Sequence, residues 1–388
     1  MSDASPMPLP SDLQEDRPPH ASILIPVKNG GERFGTVLAA VAQQRTDWPF
    51  ELIVVDSGST DGSQDLARRH GARLIEIPPA EFGHGRTRNL AAQLARGEFL
   101  VFLTHDAVPA HDRWLQNLVD ACAMSEDCAG AFGPHLAHPE ARHVTRRELA
   151  EHFAGFGTER RLFRLEDPQR YRADEGLRQF LHFFSSNNAC LRRSVWTRYP
   201  LPDVDFAEDQ TWAKTVIEAG FAKAYAPDAP VYHSHDFGVW ETLQRNFDEA
   251  SAFRRHFGYR LQPSLGHALL VAGKLARRDA AWLAETGLSG PALWRQAFGM
   301  ARIELARLAA KALGIAPRLY IDNANYPFND YYAVSQADAA LVAGLYDAGL
   351  FQGYPERLFR PEEPLTRAEL AAVIDRVLGA LPAHAAAE

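Results

Sequence analysis

Three acidic stretches carry most of the chemistry that this sequence offers. ELIVVDSGSTDGS (Glu51 to Ser63) and EFLVFLTHDAVP (Glu98 to Pro109) each close a short apolar run with a carboxylate, Asp56 or Asp106, and DFAEDQTWAK (Asp205 to Lys214) adds the adjacent pair Glu208 and Asp209. Apolar runs of this length, rich in β-branched and aromatic residues and ended by turn formers, are the pattern of buried parallel strands. Such strands deliver their last side chains to the carboxyl edge of an open α/β sheet, which is where these sheets bind ligands. Acids collected there suit a polar ligand, a hard cation or the removal of a proton. A structural reading competes with this one: aspartate after a strand often caps the next turn, and an acid pair at a helix start is favoured by the helix dipole.

The elements needed to position these acids are legible from Ala21 onward. Strand-like ASILIPV, ELIVVD, ARLIEI and EFLVFL alternate with helices expected at about 32–44, 63–70, 86–96 and 112–123. That alternation predicts an α/β fold with a mostly parallel sheet and helices on both faces. Gly71 and Gly97 sit where a left-handed residue commonly ends a helix. After Phe132 the pattern becomes irregular: an Arg- and Glu-rich helical stretch (144–161), then HFFSSNNACLRRSVW. This reads as a poor continuation of a doubly wound sheet and as the acceptor half of a two-part site. FAEDQTWAKTVIEAG reads as a helix, with Trp212, Val216 and Ile217 on its apolar face and Gly220 past its end.

Composition sets the outer limits. With 388 residues, 46% hydrophobic and 23% charged, the chain is expected to fold as two or three domains. The net charge of −8 argues against a nucleic-acid partner. The N-terminal stretch is Pro-rich and acidic without an apolar core, the three cysteines show no zinc-like pairing, and no run is apolar enough to span a bilayer, so a cytoplasmic location is expected. Between Ser251 and Arg318 basic residues dominate, and from Tyr320 the balance reverses. The basic helices suggest docking on an anionic inner-leaflet surface. The turn PVKNGGERFG lacks the G-x-G-x-x-G spacing, and no phosphate-binding P-loop motif occurs, which disfavours a dehydrogenase or a P-loop enzyme.

From about Ala21 to Phe237 the chain resembles the inverting nucleotide-sugar glycosyltransferases of GT-A fold, in particular rhamnosyltransferase-like members. ILIPVKNGGE, VVDSGSTDGS, FGHGRTRNLAAQLARGEFLVFLTHDAVP, FFSSNNACLRR and FAEDQTWAK carry the resemblance, in order. It implies that Asp56, with backbone near Pro26 and with Glu32, binds the base or ribose, and that Arg88 faces the donor diphosphate. Asp106 resembles the last acid of the family's Asp-x-Asp metal motif, with Thr104 in place of the first acid and His105 between them on the donor side. His233 and His235 in VYHSHD would point the same way on a strand and join Asp106 on a Mg2+ or Mn2+ ion. Asn187 and Asn188 are implied to bind the acceptor. Asp209 is implied to take the acceptor hydroxyl proton, with Glu208 orienting the acceptor or its loop.

The tail from about Tyr326 to Leu378 resembles an S-layer homology repeat, with its G-x-x-x-G-Y-P turn, F-R-P bend and L-T-R-A-E helix start. It implies glycan binding or homo-oligomerisation. The expected division is a disordered tail (1–20), a GT-A domain (21–237), a basic helical extension (238–316) and a small helical module (317–388). The expected function is transfer of rhamnose from a dTDP-linked donor to a cell-surface or lipid-linked glycan. The alternatives are a UDP-hexose donor or a non-catalytic wall-binding protein that acts through its tail.

Overall fold

Alternate side chains along the early strands feed two separate cores. The computed structural model describes residues 18–237 and 239–259 and single positions at 274, 278, 281 and 346. Its strands are β1 (Ala21–Val27), β2 (Phe50–Asp56), β3 (Arg73–Glu76), β4 (Phe99–Leu103), β5 (Val108–Pro109), β6 (Cys128–Phe132), β7 (His135–Leu136), β8 (Arg161–Phe163), β9 (Asn188–Arg192), β10 (Ala222–Tyr225) and β11 (Val231–Tyr232). Its helices are α1 (Gly31–Ala42), α2 (Ser63–Arg69), α3 (His84–Leu94), α4 (Trp114–Ala123), α5 (His143–Ala154), α6 (Pro168–Ala173), α7 (Glu175–His182), α8 (Arg193–Arg198), α9 (Glu208–Glu218) and α10 (Val239–Phe257). Ile23, Ile25, Val54, Val101 and Leu103 pack on one face with Phe34, Val37 and Leu38 of α1 and Leu115 and Leu118 of α4. Leu24, Ile53, Val55, Leu100 and Phe102 pack on the other, against Ala91 and Ala92 of α3 and Trp212, Val216 and Ile217 of α9. A strand buried on both faces must be apolar at every position, which is why these runs are continuous rather than alternating.

Eight strands form the main sheet in the order β3-β2-β1-β4-β9-β6-β10-β8. All are parallel except β9, which runs antiparallel between β4 and β6, and β8, antiparallel to β10. The chain order reverses between β1 and β4, so the crevice outside their carboxyl ends is the topological switch point. The antiparallel direction of β9 brings its first residues to the same edge, with Asn188 paired to Leu103. A second, three-stranded sheet in the order β5-β11-β7 lies beyond that edge.

The α/β, mostly parallel architecture agrees with the sequence reading, with two corrections. The segment after Phe132 does continue the sheet, through β8, β9 and β10, because fully buried runs such as Ala189–Leu191 can pair in either direction. The helix expected over 144–161 stops at Ala154, and Gly157 (φ 96°) turns the chain into β8. Gly71 takes the left-handed conformation (φ 70°). Gly97 does not, and is needed for another reason: a Cβ there would lie 2.6 Å from the Ala21 carbonyl carbon.

The chain divides into two units, residues 1–236 and 237–388. In the second, α10 is followed by Gly258 at φ 73°. Residues 1–17, most of the expected helical extension and the expected module from 317 lie outside the described residues. Among the described residues no helix is long and apolar enough to cross a membrane.

Candidate active site

The loops at the switch point are tied to one another. Asn29, itself left-handed at φ 50°, donates its N–H to Ser59 Oγ (2.8 Å) and accepts from Thr60 N–H (2.8 Å), while the Gly30 and Gly31 N–H groups reach Ser63 Oγ and Asp61 Oδ2. Asp56, fully buried at the end of β2, accepts at Oδ1 from the Gly58 and Ser59 N–H groups and the Gln64 amide (2.9–3.0 Å). The turn-capping reading is therefore real, yet it uses one oxygen, and the buried Oδ2 has no partner. Pro26, paired to Val55, is half-buried beside it, and Glu32 is exposed in the first turn of α1.

Asp106 lies three residues past the end of β4, and β5 then pairs with β11; His233 and His235 follow β11 in irregular backbone rather than on the strand expected for them. His233 Nε2 lies 3.6 Å from Asp106 Oδ1 and His235 Nε2 3.2 Å from Oδ2. One ligating atom from each of the three falls within 4.8 Å of the others. Burial alone would raise the Asp106 carboxyl, but hydrogen bonds from the two imidazoles outweigh it and hold the group well below the usual carboxylate range. His105 is half-buried next to it, and the Thr104 hydroxyl is buried without a partner. His135 of β7 packs its ring 5.1 Å from that of His233 and is 8% exposed. It was missed in the sequence because PHLAH shows no spacing that points to the Asp106 cluster; only the pairing of β7 with β11 places it there.

The second acid pair opens α9. Ala207 sits left-handed (φ 60°) before it. Glu208, 6% exposed, accepts from Ser186 Oγ (3.1 Å) and forms an ion pair with Arg88 (3.2 Å). Asp209 Oδ2 accepts from Ser186 N–H (2.8 Å) and Oδ1 from the Gln210 N–H (2.8 Å). Burial first, and then the Glu208 charge, push the Asp209 carboxyl up to about 7, against the opposing pull of the Ser186 N–H and Arg88. The loop that supplies Ser186 is anchored from below by buried Lys223, whose Nζ donates to the Phe180 and Phe183 carbonyls.

Two expected roles are corrected by this arrangement. Arg88 faces inward rather than to a donor diphosphate: its side chain is 4% exposed, Nη1 serves both Glu208 and the His84 carbonyl, and the buried Nε has no partner. Asn188 is not presented to an acceptor: its amide, fully buried, accepts from Trp114 Nε1 (2.9 Å) and donates to the Ala229 and Pro134 carbonyls. Asn187 beside it is half-buried.

Residues 22–198 match glycosyl transferase family 2. An O-antigen chain rhamnosyltransferase (WbaN) of Salmonella anatum is 32% identical over 236 residues, 59% of this chain and 71% of the relative. The chain belongs to glycosyl transferase family 2. A second O-antigen chain rhamnosyltransferase (RfbN), of Salmonella typhimurium, is 35% identical over 58% of this chain and 70% of its own. Among solved structures, a mannosyltransferase of Pyrobaculum calidifontis with GDP-mannose and Mn2+ aligns at TM-score 0.46 and 18% identity, over 94% of this chain and 88% of that one.

Residues 327–371 match the S-layer homology domain, in agreement with the sequence resemblance. That match overturns the cytoplasmic location expected from the N-terminal composition, because an S-layer homology domain points to a cell-surface protein, anchored or secreted. Inner-leaflet docking was expected from the basic residues between Ser251 and Arg318, most of which lie outside the described residues, and nothing in the comparisons supports it.

Proposed function

We propose that this family 2 glycosyltransferase moves rhamnose from a dTDP-linked donor onto a cell-surface glycan, inverting the anomeric centre, with Asp209 as the general base. The observation that carries this reading is the environment of Asp209. It is a carboxylate whose affinity for protons is raised to near neutrality and whose two oxygens are fixed by backbone N–H groups. A general base works best with a pKa near the working pH, and a fixed one contributes about 100- to 10,000-fold. In the proposed step the acceptor hydroxyl oxygen attacks the anomeric carbon from the face opposite the diphosphate. The bond from the anomeric carbon to the phosphate oxygen breaks, the nucleoside diphosphate leaves with the electron pair, and the hydroxyl proton passes to Asp209. Glu208 orients the Ser186 loop through its hydrogen bond to Ser186 and its pairing with Arg88.

Asp56 Oδ2, the only oxygen of that carboxylate without a partner, suits a base or ribose donor, with Pro26 and Glu32 lining the same edge. Asp106, His233 and His235 fit a divalent cation, His105 lying beside them, and such an ion would neutralise the diphosphate. With two nitrogen donors to one oxygen, Mn2+ suits the set better than Mg2+. The choice of rhamnose is supported by the two rhamnosyltransferase relatives, and Asn187 is the remaining candidate for acceptor contact on its loop. A donor screen tests the reading: hydrolysis and thermal shift with dTDP-, UDP- and GDP-sugars, with Mn2+ or Mg2+. dTDP-rhamnose with Mn2+ is expected to lead. A UDP-hexose leading would replace the donor, and no response to any nucleotide-sugar would overturn the function.

A further inference from the structure

We infer that Phe82 and Phe206 form an aromatic platform that receives the sugar ring of the acceptor glycan beside Asp209, an inference that rests on the glycosyltransferase reading above. Among the described residues only five large hydrophobic side chains are exposed, and these two, at 39% and 37%, belong to the loops that enter α3 and α9. Single exposed apolar residues are ordinary. Two aromatics on adjoining loops, one of them three residues before Asp209, are not explained by that.

Four contacts place the two loops together. Arg86 pairs with Asp203 (3.2 Å). Gly85 approaches so closely that a Cβ would meet the Pro202 carbonyl oxygen at 2.0 Å, and a Cβ on Gly83 would meet Asp203 Oδ1 at 3.2 Å. Asn89, one turn into α3, donates to the Leu201 carbonyl (2.7 Å). The same two elements are joined beneath the surface by the Arg88–Glu208 pair.

Phe82 directly precedes Gly83, and its ring stands 5.2 Å from that of His84, whose carbonyl accepts from Arg88. Phe206 is separated from Glu208 by a single residue, Ala207. The left-handed backbone at Ala207 reverses the chain, leaving Phe206 in solvent and Glu208 in the interior. Strain of this kind in a non-glycine residue costs about 1–3 kcal/mol and is characteristic of functional sites.

The occupant follows from the chemistry. Whatever gives its proton to Asp209 must present a hydroxyl at that carboxylate, so the body of the acceptor lies over the residues that surround it. A pyranose has one polar rim and an apolar C–H face, and a rigid aromatic ring matches such a face at small entropic cost. The platform therefore sets which face of the acceptor sugar is turned down and which hydroxyl is turned to Asp209.

Saturation-transfer NMR on the full chain tests this, with methyl glycosides of rhamnose, galactose, mannose and glucose as probes and dTDP and UDP in the same samples. The wild type should transfer saturation to ring C–H protons of at least one glycoside. Phe206→Ala and Phe82→Ala should each reduce that transfer at least severalfold while leaving nucleotide signals unchanged. Phe206→Leu keeps apolar volume but removes the flat face, and should also lose the glycoside signal; Phe206→Tyr should keep it. Glycoside transfer that is equal in wild type and Phe206→Ala overturns the platform, as does nucleotide binding with no glycoside signal in any sample. Absence of nucleotide binding in the wild type overturns the glycosyltransferase reading itself, and the platform with it.

Discussion

At the end of β4, Asp106 keeps 22% of its side chain exposed and faces two imidazoles that come from a separate small sheet. At the start of α9, the side chain of Glu208 is 8% exposed and is locked to Arg88 of α3, whose side chain is 4% exposed, and to the Ser186 loop. The two corners share one sheet edge, and their acids are driven in opposite directions: Asp106 down by its histidine partners, Asp209 up by burial and a neighbouring charge. Environments that separate the proton affinities of two carboxylates assign them different work. The Asp106 corner is suited to hold positive charge that comes and goes with a ligand. In the proposed mechanism the Asp209 corner is the one that takes the proton.

Disrupting the buried corner should have the largest effect. Arg88→Met leaves Glu208 buried without its partner, and Glu208→Gln strands Arg88, so each should lose about 3–5 kcal/mol in denaturant unfolding. A loss below about 1 kcal/mol would mean that water reaches the pair, as at an exposed bridge. Next in size, Asp209→Asn should lower turnover by about a hundredfold or more, which is about 2.7 kcal/mol of barrier, with donor KM little changed. Retention of near-normal turnover in steady-state assays would move the base elsewhere. In the open corner, Asp106→Ala should weaken Mn2+ binding by at least the ~10–100-fold that loss of an outer-shell partner already costs. Unchanged calorimetric affinity would remove Asp106 from the site.

A pH-dependent effect on stability is expected as well. The Asp209 carboxyl holds its proton more tightly folded than unfolded, so its contribution to stability is greatest in acid and is lost as pH rises through about 7. Asp209→Asn should therefore melt above the wild type at pH 8, with the gap closing as pH falls toward 4. A gap that widens in acid would reverse the sign of the shift.

What was legible in the sequence follows the same division. The strand-end positions of Asp56 and Asp106 and the α1 to α4 alternation are local patterns: a run of four to seven residues, a helix period. His233 and His235 reach Asp106 from beyond the end of β11, not by the strand alternation their spacing suggested. The pairing of Arg88 with Glu208 joins positions far apart in the chain. So does the use of Asn188 on Trp114 rather than on a ligand. Neither leaves a trace in periodicity, because a buried polar group is satisfied by whatever the fold brings near it. The direction of β9 was hidden for a related reason. A strand buried on both faces reads the same whichever way it runs.

The proton-accepting role of Asp209 is tested most directly by turnover as a function of pH, measured from pH 5 to 9 at saturating Mn2+ and donor, for the wild type and for Asp209→Asn. Turnover of the wild type should fall about tenfold per unit below about 7, the value to which the carboxyl is raised, and the residual turnover of Asp209→Asn should lack that acid limb. A wild-type profile that is level from pH 5 to 8, or the same acid limb in both proteins, would contradict it.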